Sequence, residues 1–394
     1  MLKIERGKIL DYKGREIRLR GIGLGGFLMM EGYILGGRNI PESVFKAKLA
    51  KIYGKDFISE FSRRFRDNFI RDEDFFKIKR LGFNCVRLPF NYRLLEEPGG
   101  LNYLKKIVGK CGEQKLYVIL DMHAVPGSQN PDWHSDSLGK ALFWEQEKYR
   151  QRYFALWKKI AQTFKNEPWV AGYDIMNEPV TKKVDLLKVV FQQVIDIIRK
   201  VGDEHIIFLE GNNYGREVDF LKDLRGENLA LSLHFYEPVE FTFNWLPDSK
   251  YPGTILGKKW NKTAIKGIFK KYAAFAKTVR MPVFIGEFGI ASRCNFCGWE
   301  FRWLEDVLDV FEKLGFHWTY WTYKAVKGMD LPDGLFQLSD TEGIIGRKSL
   351  VSGMENFYQL LKSRKEEFFL IWQTRNFKLN KFLYQGLKNF LINP

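Results

Sequence analysis

Cysteine is scarce in this chain: four in 394 residues, Cys85, Cys111, Cys294 and Cys297. Four thiols cannot staple a chain of this length, so a small disulfide scaffold is excluded. Cys85 lies in an apolar run and reads as a small buried hydrophobe. The pair C-N-F-C at 294 and 297 has the spacing of half a metal site or a redox motif, but no second pair follows it. A plain loop, with or without a labile disulfide, is the simpler reading. No stretch reaches the roughly eighteen uninterrupted apolar residues of a membrane-spanning helix, and the opening M-L-K-I-E-R-G-K-I-L-D has no signal-peptide core. The expectation is a cytoplasmic protein, or a secreted one if a leader has been removed. Zinc-finger spacing, an RNA-binding aromatic signature and a glycine loop closed by Lys-Ser/Thr are all missing. The net charge of +16 and pI near 9.4 would favour anionic partners. Because the Lys and Arg are spread along the chain, they read as a solvated basic surface, with no nucleic-acid partner.

What the chain holds in quantity is aromatic: 16 % Phe, Trp and Tyr, including 11 Trp, within a 45 % hydrophobic and 28 % charged composition. The hydrophobic and charged fractions are those of an ordinary soluble globular protein. The aromatic excess suits either a heavy core or a cleft that stacks flat apolar faces such as sugar rings.

Two stretches stand out. W-V-A-G-Y-D-I-M-N-E-P-V at 169–180 is an apolar run stopped by Pro179, which cannot donate to a strand ladder, directly after Glu178. P-V-F-I-G-E-F-G-I at 282–290 repeats the design with Glu287. Each carboxylate closes a buried strand, and the C-terminal ends of strands are where α/β barrels carry their chemistry. Two such acids suggest a paired-acid site.

The rest of the chain supplies the other strands. Residues 3–20 read as a hairpin turning at Asp11-Tyr12-Lys13-Gly14, a plug for the barrel's bottom, and 17–23 as the first strand, leading into a Gly-rich loop that ends at Glu31. A charged helical region covers 42–82. Strands follow at 83–90, 117–122, 205–210, 229–234 and 317–324, with helices at 143–166, 184–201, 263–279 and 299–314 between later ones. An aromatic insert at 237–261 reads as a cleft wall or, more plainly, as a packed surface loop. Eight strand-helix units without an interdomain linker predict an α/β fold, a single (β/α)8 TIM barrel over residues 1–362, closed by helix-like residues 353–363. Residues 363–394 are basic, aromatic and periodic, and form a C-terminal helical extension suited to folding back on the domain, to a membrane surface or to an oligomer contact.

Arg87 sits inside an apolar strand, where a charge is costly unless paired, so it points to the carboxylates at the barrel mouth. The loop after the third strand carries His123, Gln129, Asn130, Trp133, His134 and Asp136, too many hydrogen-bonding groups for a mere connection. It reads as a sugar-binding loop; a metal site from Asp121, His123, His134 and Asp136 is the alternative, against which stands their irregular spacing. Asp203-Glu204-His205 begins a strand, at the face that carries no chemistry in barrels, and reads as structural. His234 and Tyr236 close the sixth strand, on the active rim.

In this order the motifs V-R-L-P-F (86–90), D-M-H (121–123), N-E-P (177–179), H-F-Y (234–236), G-E-F-G (286–289) and Y-W-T-Y-K (320–324) resemble those of glycoside hydrolase family five, the cellulase family of clan A. The loops A-V-P-G-S-Q-N (124–130) and G-L-G-G-F-L-M-M-E look most like its exo-β-1,3-glucanase branch, with Phe27 where Trp is commoner. The resemblance implies a retaining β-glycosidase acting on β-linked glucosides or related oligosaccharides, exo-acting, with no cofactor and no metal. It implies Glu287 as nucleophile, Glu178 as acid/base and Asn177 on the sugar 2-hydroxyl. Arg87 and Tyr236 would steady the nucleophile, His123 and His234 line the subsite, and Trp321 form the sugar platform. The two acids need different protonation states, and Glu178, the less compensated, is expected to hold the proton. Within the family, endo-glucanase, mannanase or glycolipid glycosidase activity is the alternative; outside it, a metal-dependent hydrolase or a non-catalytic carbohydrate-binding protein.

Overall fold

Eight short strands, almost wholly buried, pair in parallel and close on themselves. In the computed structural model, which describes residues 1–292, 298–328, 330–338 and 357–391, they are β1 (Arg20–Gly23), β2 (Cys85–Asn91), β3 (Tyr117–Ala124), β4 (Val170–Asp174), β5 (Ile206–Glu210), β6 (Leu229–Phe235), β7 (Val283–Phe288) and β8 (His317–Tyr320). Closure is direct: Phe284 of β7 pairs with His317 of β8, and Trp318 of β8 with Arg20 of β1. Every residue of β2 is buried, the expected pattern for a strand covered on both faces. Gly21 is required where β1 meets β2, because a Cβ there would lie 2.3 Å from Cys85 Sγ and 2.5 Å from its carbonyl oxygen. The TIM barrel read from the sequence is the observed fold.

Helices on the outside bury one apolar stripe each, as in Leu187, Val190, Phe191, Val194, Ile195 and Ile198 of the helix Val184–Lys200. The region 42–82 is three helices, Glu42–Tyr53, Lys55–Phe69 and Asp72–Arg80, with Gly54 at positive φ between the first two. The strand expected over 169–180 stops at Asp174, and the strand expected to run to Lys324 stops at Tyr320. Beyond it, Lys324–Val326 pairs instead with Phe336–Leu338 in a separate small sheet.

The barrel's bottom is closed by the N-terminal segment. Lys3–Glu5 and Lys8–Leu10 form the hairpin, turning at Arg6-Gly7 with both residues at positive φ. A second reversal follows at Asp11–Gly14, where the Asp11 carboxylate accepts from the Lys13 and Arg15 N–H groups at 2.9 and 3.0 Å. Leu2 and Ile9 join Leu19, Cys85, Ile119, Ala171, Ile206, Phe208, Ala230 and Phe284 in an apolar layer under the barrel.

The C-terminal segment returns to the barrel. The helix Phe357–Ser363 spans the boundary drawn at 362, and two helices follow, Lys365–Leu370 and Lys381–Leu391. Phe368 and Trp372 pack on Phe61, Phe65 and Phe69 of the helix Lys55–Phe69 at centroid distances of 5.7 to 6.0 Å. Lys378–Leu379 adds a third strand beside Phe336–Leu338. The apolar face of the last helix, Leu383, Leu387 and Leu391, is buried, and Gly386 comes so close to Leu304 that a Cβ would sit at 2.6 Å. The amphipathic stripe is thus covered by the chain itself. The buried Lys324 ammonium is held by the carbonyl oxygens of Phe69 and Trp372, the latter at 2.6 Å, and by Thr374 Oγ1 at 3.1 Å. Cys294, Cys297 and residues 353–356 lie outside the described residues. Among those described, no helix is long and apolar enough to cross a membrane.

Candidate active site

The C-terminal ends of the strands surround a cavity of about 660 Å3. Its floor is a buried charge cluster. Arg87 of β2, fully buried, donates from Nη1 to Glu287 Oε1 at 2.6 Å and from Nε to Asp174 Oδ2 at 3.0 Å. Its Nη2 lies 3.1 Å from both Asp121 Oδ2 and Glu210 Oε1, and donates to Asn177 Oδ1 at 2.8 Å. One guanidinium therefore anchors four carboxylates and an amide, which makes a buried arginine tolerable. Burial first, and then the neighbouring Glu210 charge, push the Asp174 carboxyl well above the usual carboxylate range despite Arg87.

Glu178 follows β4 in the left-handed region at φ 46°, a conformation costing about 1 to 2 kcal/mol for a residue with a Cβ. Both of its backbone polar groups are held. Its N–H donates to Glu210 Oε2 at 2.7 Å, and its carbonyl oxygen accepts from Asn130 Nδ2 at 2.9 Å. Gln129 ties the loop further, donating to the carbonyl oxygens of His123 and Asn177 at 2.7 Å each. Gln129 and Asn130 thus brace the site from beneath, through backbone groups.

The Glu178 carboxylate meets two imidazoles: His234 Nδ1 lies 2.8 Å from Oε1, and His134 Nε2 lies 2.9 Å from Oε2. Burial alone would push the carboxyl up, but the hydrogen bonds from His134 and His234 outweigh it and hold it well below the usual range. Against the same desolvation, His134 is raised by its bond to Glu178, and His234 by Glu210, Glu287 and Glu178. The expected poorly compensated Glu178 is not what the site shows: two imidazoles compensate its carboxyl and pull it down while their own affinities for a proton are raised. His134, expected among groups that touch sugar, contacts the Glu178 side chain.

Glu287 accepts from Arg87 and, at 2.7 Å, from the Tyr236 hydroxyl. One oxygen of Glu178, one of Glu287 and a nitrogen of His234 all lie within 4.8 Å of one another. Those atoms are of metal-ligand type, but the Glu287 oxygens are already engaged by Arg87 and Tyr236, and a guanidinium at 2.6 Å disfavours a second cation. The alternative metal set is not assembled among the described residues. Asp121 bonds His123 at 2.7 Å, while Asp136 is drawn away by Arg93 at 2.8 Å and by the Ser43 N–H.

The cavity wall beside β8 and β1 combines aromatic rings with hydrogen-bonding groups. The His123 and Trp321 rings are parallel within 2° at 5.6 Å, the Trp321 indole N–H donates to the Tyr33 hydroxyl, and Tyr33 meets Trp133 edge-on at 6.0 Å. Glu31 also lines this wall, buried, with Oε1 unpartnered among the described residues. Burial and then Glu287 and Glu178 raise its carboxyl well above the usual range. Sequence reasoning assigned no role to Glu31, Tyr33, Asp174 or Glu210. A signal existed for Glu210, which ends its strand as a carboxylate, in the position that singled out the other two acids.

A family model described as Cellulase (glycosyl hydrolase family 5) matches residues 51–327. A Phanerodontia chrysosporium protein called Beta-xylosidase is 32 % identical over 345 residues, which is 82 % of this chain and 71 % of that one. Endoglucanase C of Acetivibrio thermocellus is 25 % identical over 305 residues, 68 % of this chain and 87 % of its own. A protein of Aspergillus terreus called Probable glucan 1,3-beta-glucosidase A is 30 % identical over 249 residues, 59 % of each chain.

Proposed function

The chain belongs to glycosyl hydrolase family 5 and is a hydrolase of β-glycosidic bonds, and on that premise we propose that it acts by double displacement, with Glu287 as nucleophile and Glu178 as acid/base. The observation that carries this reading is the approach of the two carboxylates, with oxygens within 4.8 Å. Retaining pairs stand about 5 to 5.5 Å apart, whereas inverting pairs need roughly 6.5 to 9.5 Å to admit a water.

In this reading the sugar lies against Trp321, with the anomeric carbon over Glu287. Arg87 and Tyr236 fix the attacking carboxylate, and Glu287 forms a bond to carbon as the glycosidic oxygen leaves. Glu178 gives that oxygen a proton supplied by the imidazoles bonded to it, and in the second step takes a proton from the water that releases the sugar. Asn177 supports the assignment of a 2-hydroxyl donor: its carbonyl is fixed by Arg87, while its buried Nδ2 has no partner among the described residues. The volume of about 660 Å3 falls among small-molecule clefts and cavities of roughly 300 to 1,000 Å3. A bond from Tyr214 to Asp132 at 2.7 Å and the wall from the insert after β6 narrow the mouth further. Those features favour exo action on the end of a β-linked glucoside or short oligosaccharide.

The test is chemical rescue. Glu287→Ala with azide should yield the α-glycosyl azide and Glu178→Ala the β-glycosyl azide from an activated aryl β-glycoside, with turnover near zero in the absence of azide. Wild-type activity in either variant rejects the assignment. A ladder of β-linked oligosaccharides tests exo action, which predicts release of one terminal unit at a time; early mid-chain products reject it.

A further inference from the structure

The cavity has two chemically different ends. On one side of the acid pair stand Glu31, Tyr33, His123 and Trp321, a wall of hydrogen-bonding groups and one flat platform. On the other side, toward the loops after β5 and β6 and the helix Lys262–Val279, the lining includes Val239, Phe243, Trp245, Ile268, Tyr272 and Leu331. Several polar groups at this end are bonded within the protein. Tyr214 donates to Asp132 at 2.7 Å, Tyr272 donates to the Arg216 carbonyl oxygen at 2.8 Å, and Arg216 pairs with Glu237 at 3.3 Å. Lys258 lies over the Trp260 ring at 4.1 Å.

An aromatic row leads outward along this side. Tyr236, bonded to Glu287, meets Phe243 at 5.0 Å, and Phe243 meets Trp245 edge-on at 5.1 Å. Trp245 is 59 % exposed, so the row runs from the reacting centre to open solvent. A second sugar would bring several hydroxyl groups into this lobe, and each needs a partner or loses its hydration. Val239, Ile268 and Leu331 offer none.

We propose that the leaving-group end of the cavity is a binding lobe for an apolar aglycone, an aryl or alkyl group, in preference to another sugar ring. The proposal rests on the reading above that Glu178 and Glu287 straddle the scissile bond with the sugar against Trp321, since that places the leaving group on the β5 and β6 side. An apolar group there gains by removing its surface and the lobe's from water, while the polar rim stays paired.

The experiment holds the sugar and the leaving-group chemistry constant. Methyl, butyl and octyl β-glycosides of one sugar, below micelle-forming concentration, all release a primary alkanol or methanol, so a rise in kcat/KM with chain length reads burial of the alkyl group. The expected rise from methyl to octyl is at least tenfold, with octyl exceeding the corresponding β-linked disaccharides. A 2-naphthyl thioglycoside, binding without turnover, reads aryl against alkyl occupancy. Ile268→Asn, at a half-buried helix position, should bring the octyl-to-methyl ratio down toward unity. A flat chain-length series in the wild type, or disaccharides preferred over octyl, overturns the proposal. Calorimetric binding of the same glycosides to the Glu287→Gln protein separates the two readings. Equal affinity for methyl and octyl glycosides removes the lobe. Tighter octyl binding with no wild-type hydrolysis of any glycoside keeps the lobe and removes the mechanism.

Discussion

Two Asp-x-His pairs sit at opposite ends of the barrel. At the bottom, before β5, Asp203 and His205 consume each other and their surroundings. His205 Nδ1 lies 2.7 Å from Asp203 Oδ1, its Nε2 lies 2.9 Å from the Glu167 carbonyl oxygen, and the Tyr173 hydroxyl donates to Asp203 Oδ2 at 2.5 Å. At the mouth, on β3, Asp121 holds His123 Nδ1 at the same 2.7 Å, but the ring lies flat along Trp321 and lines the cavity. The dyads share residue types, spacing and bond length. What differs is the end of the strand, and hence whether the second face of the imidazole is closed by protein or offered to a ligand. A histidine bonded to an aspartate therefore says little about chemistry until its strand end is known.

Arg87→Met breaks the mouth most severely. It leaves Asp121, Asp174, Glu210 and Glu287 without their shared cation, so activity should vanish and stability fall by about 3 to 5 kcal/mol, read by denaturant unfolding beside a glycoside assay. A variant that keeps its kcat would contradict the part given to Arg87. The dyads themselves should then separate. His205→Asn is expected to lower stability by about 1 to 3 kcal/mol and leave kcat nearly unchanged. His123→Asn should do the reverse, with kcat/KM falling by about tenfold or more, the loss of roughly one charged hydrogen bond in the transition state, and a smaller shift in unfolding. Matching losses in both variants would erase the distinction.

A finer probe uses pH. The proton for Glu178 is shared with two imidazoles, so His134→Asn removes one of its seats and should move the alkaline arm of kcat/KM to lower pH for substrates with poor leaving groups. Activated substrates, which need little acid assistance, should be affected less. An arm that stays in place means that His134 does not serve the proton. The smallest effect lies away from both dyads. Burial lowers the Lys324 amine to about 7, against an unfolded value near 10.4. The unfolded chain then binds the extra proton between those values, so this group makes stability rise as pH rises through that window. Lys324→Met should flatten that rise in thermal unfolding, and an unaltered slope would dismiss the contribution.

The barrel was legible because each strand is an apolar run of the right length, and the two acids because each ends such a run. Arg87 was legible for the converse reason, as a charge where none is tolerated unpaired. The remaining floor was harder to read. Asp174 follows Tyr173 inside the strand pattern and looks like an interruption of it, and Glu31 lies in a loop without periodicity. The lowering of the Glu178 carboxyl depended on His134 and His234 converging on it from the loop after β3 and from β6, and no local spacing encodes a meeting of residues 134, 178 and 234. The end of β8 was overextended because Y-W-T-Y-K alternates like a strand throughout, whereas Thr322 leaves the barrel ladder, its Oγ1 accepting from the Gly25 N–H at 3.0 Å and donating to the Gly23 carbonyl oxygen at 2.9 Å.

The family model's match ends at residue 327, yet among the described residues Trp372 and Thr374 supply two of the three oxygens around Lys324, three residues beyond Trp321. A version of this enzyme trimmed where that match stops would uncover an amine, a ring of phenylalanines and an open strand edge in one cut. Residues 357–391 therefore cover the small sheet that follows the eighth strand, and the workable limits of the domain are drawn by that sheet instead of by the extent of the family match.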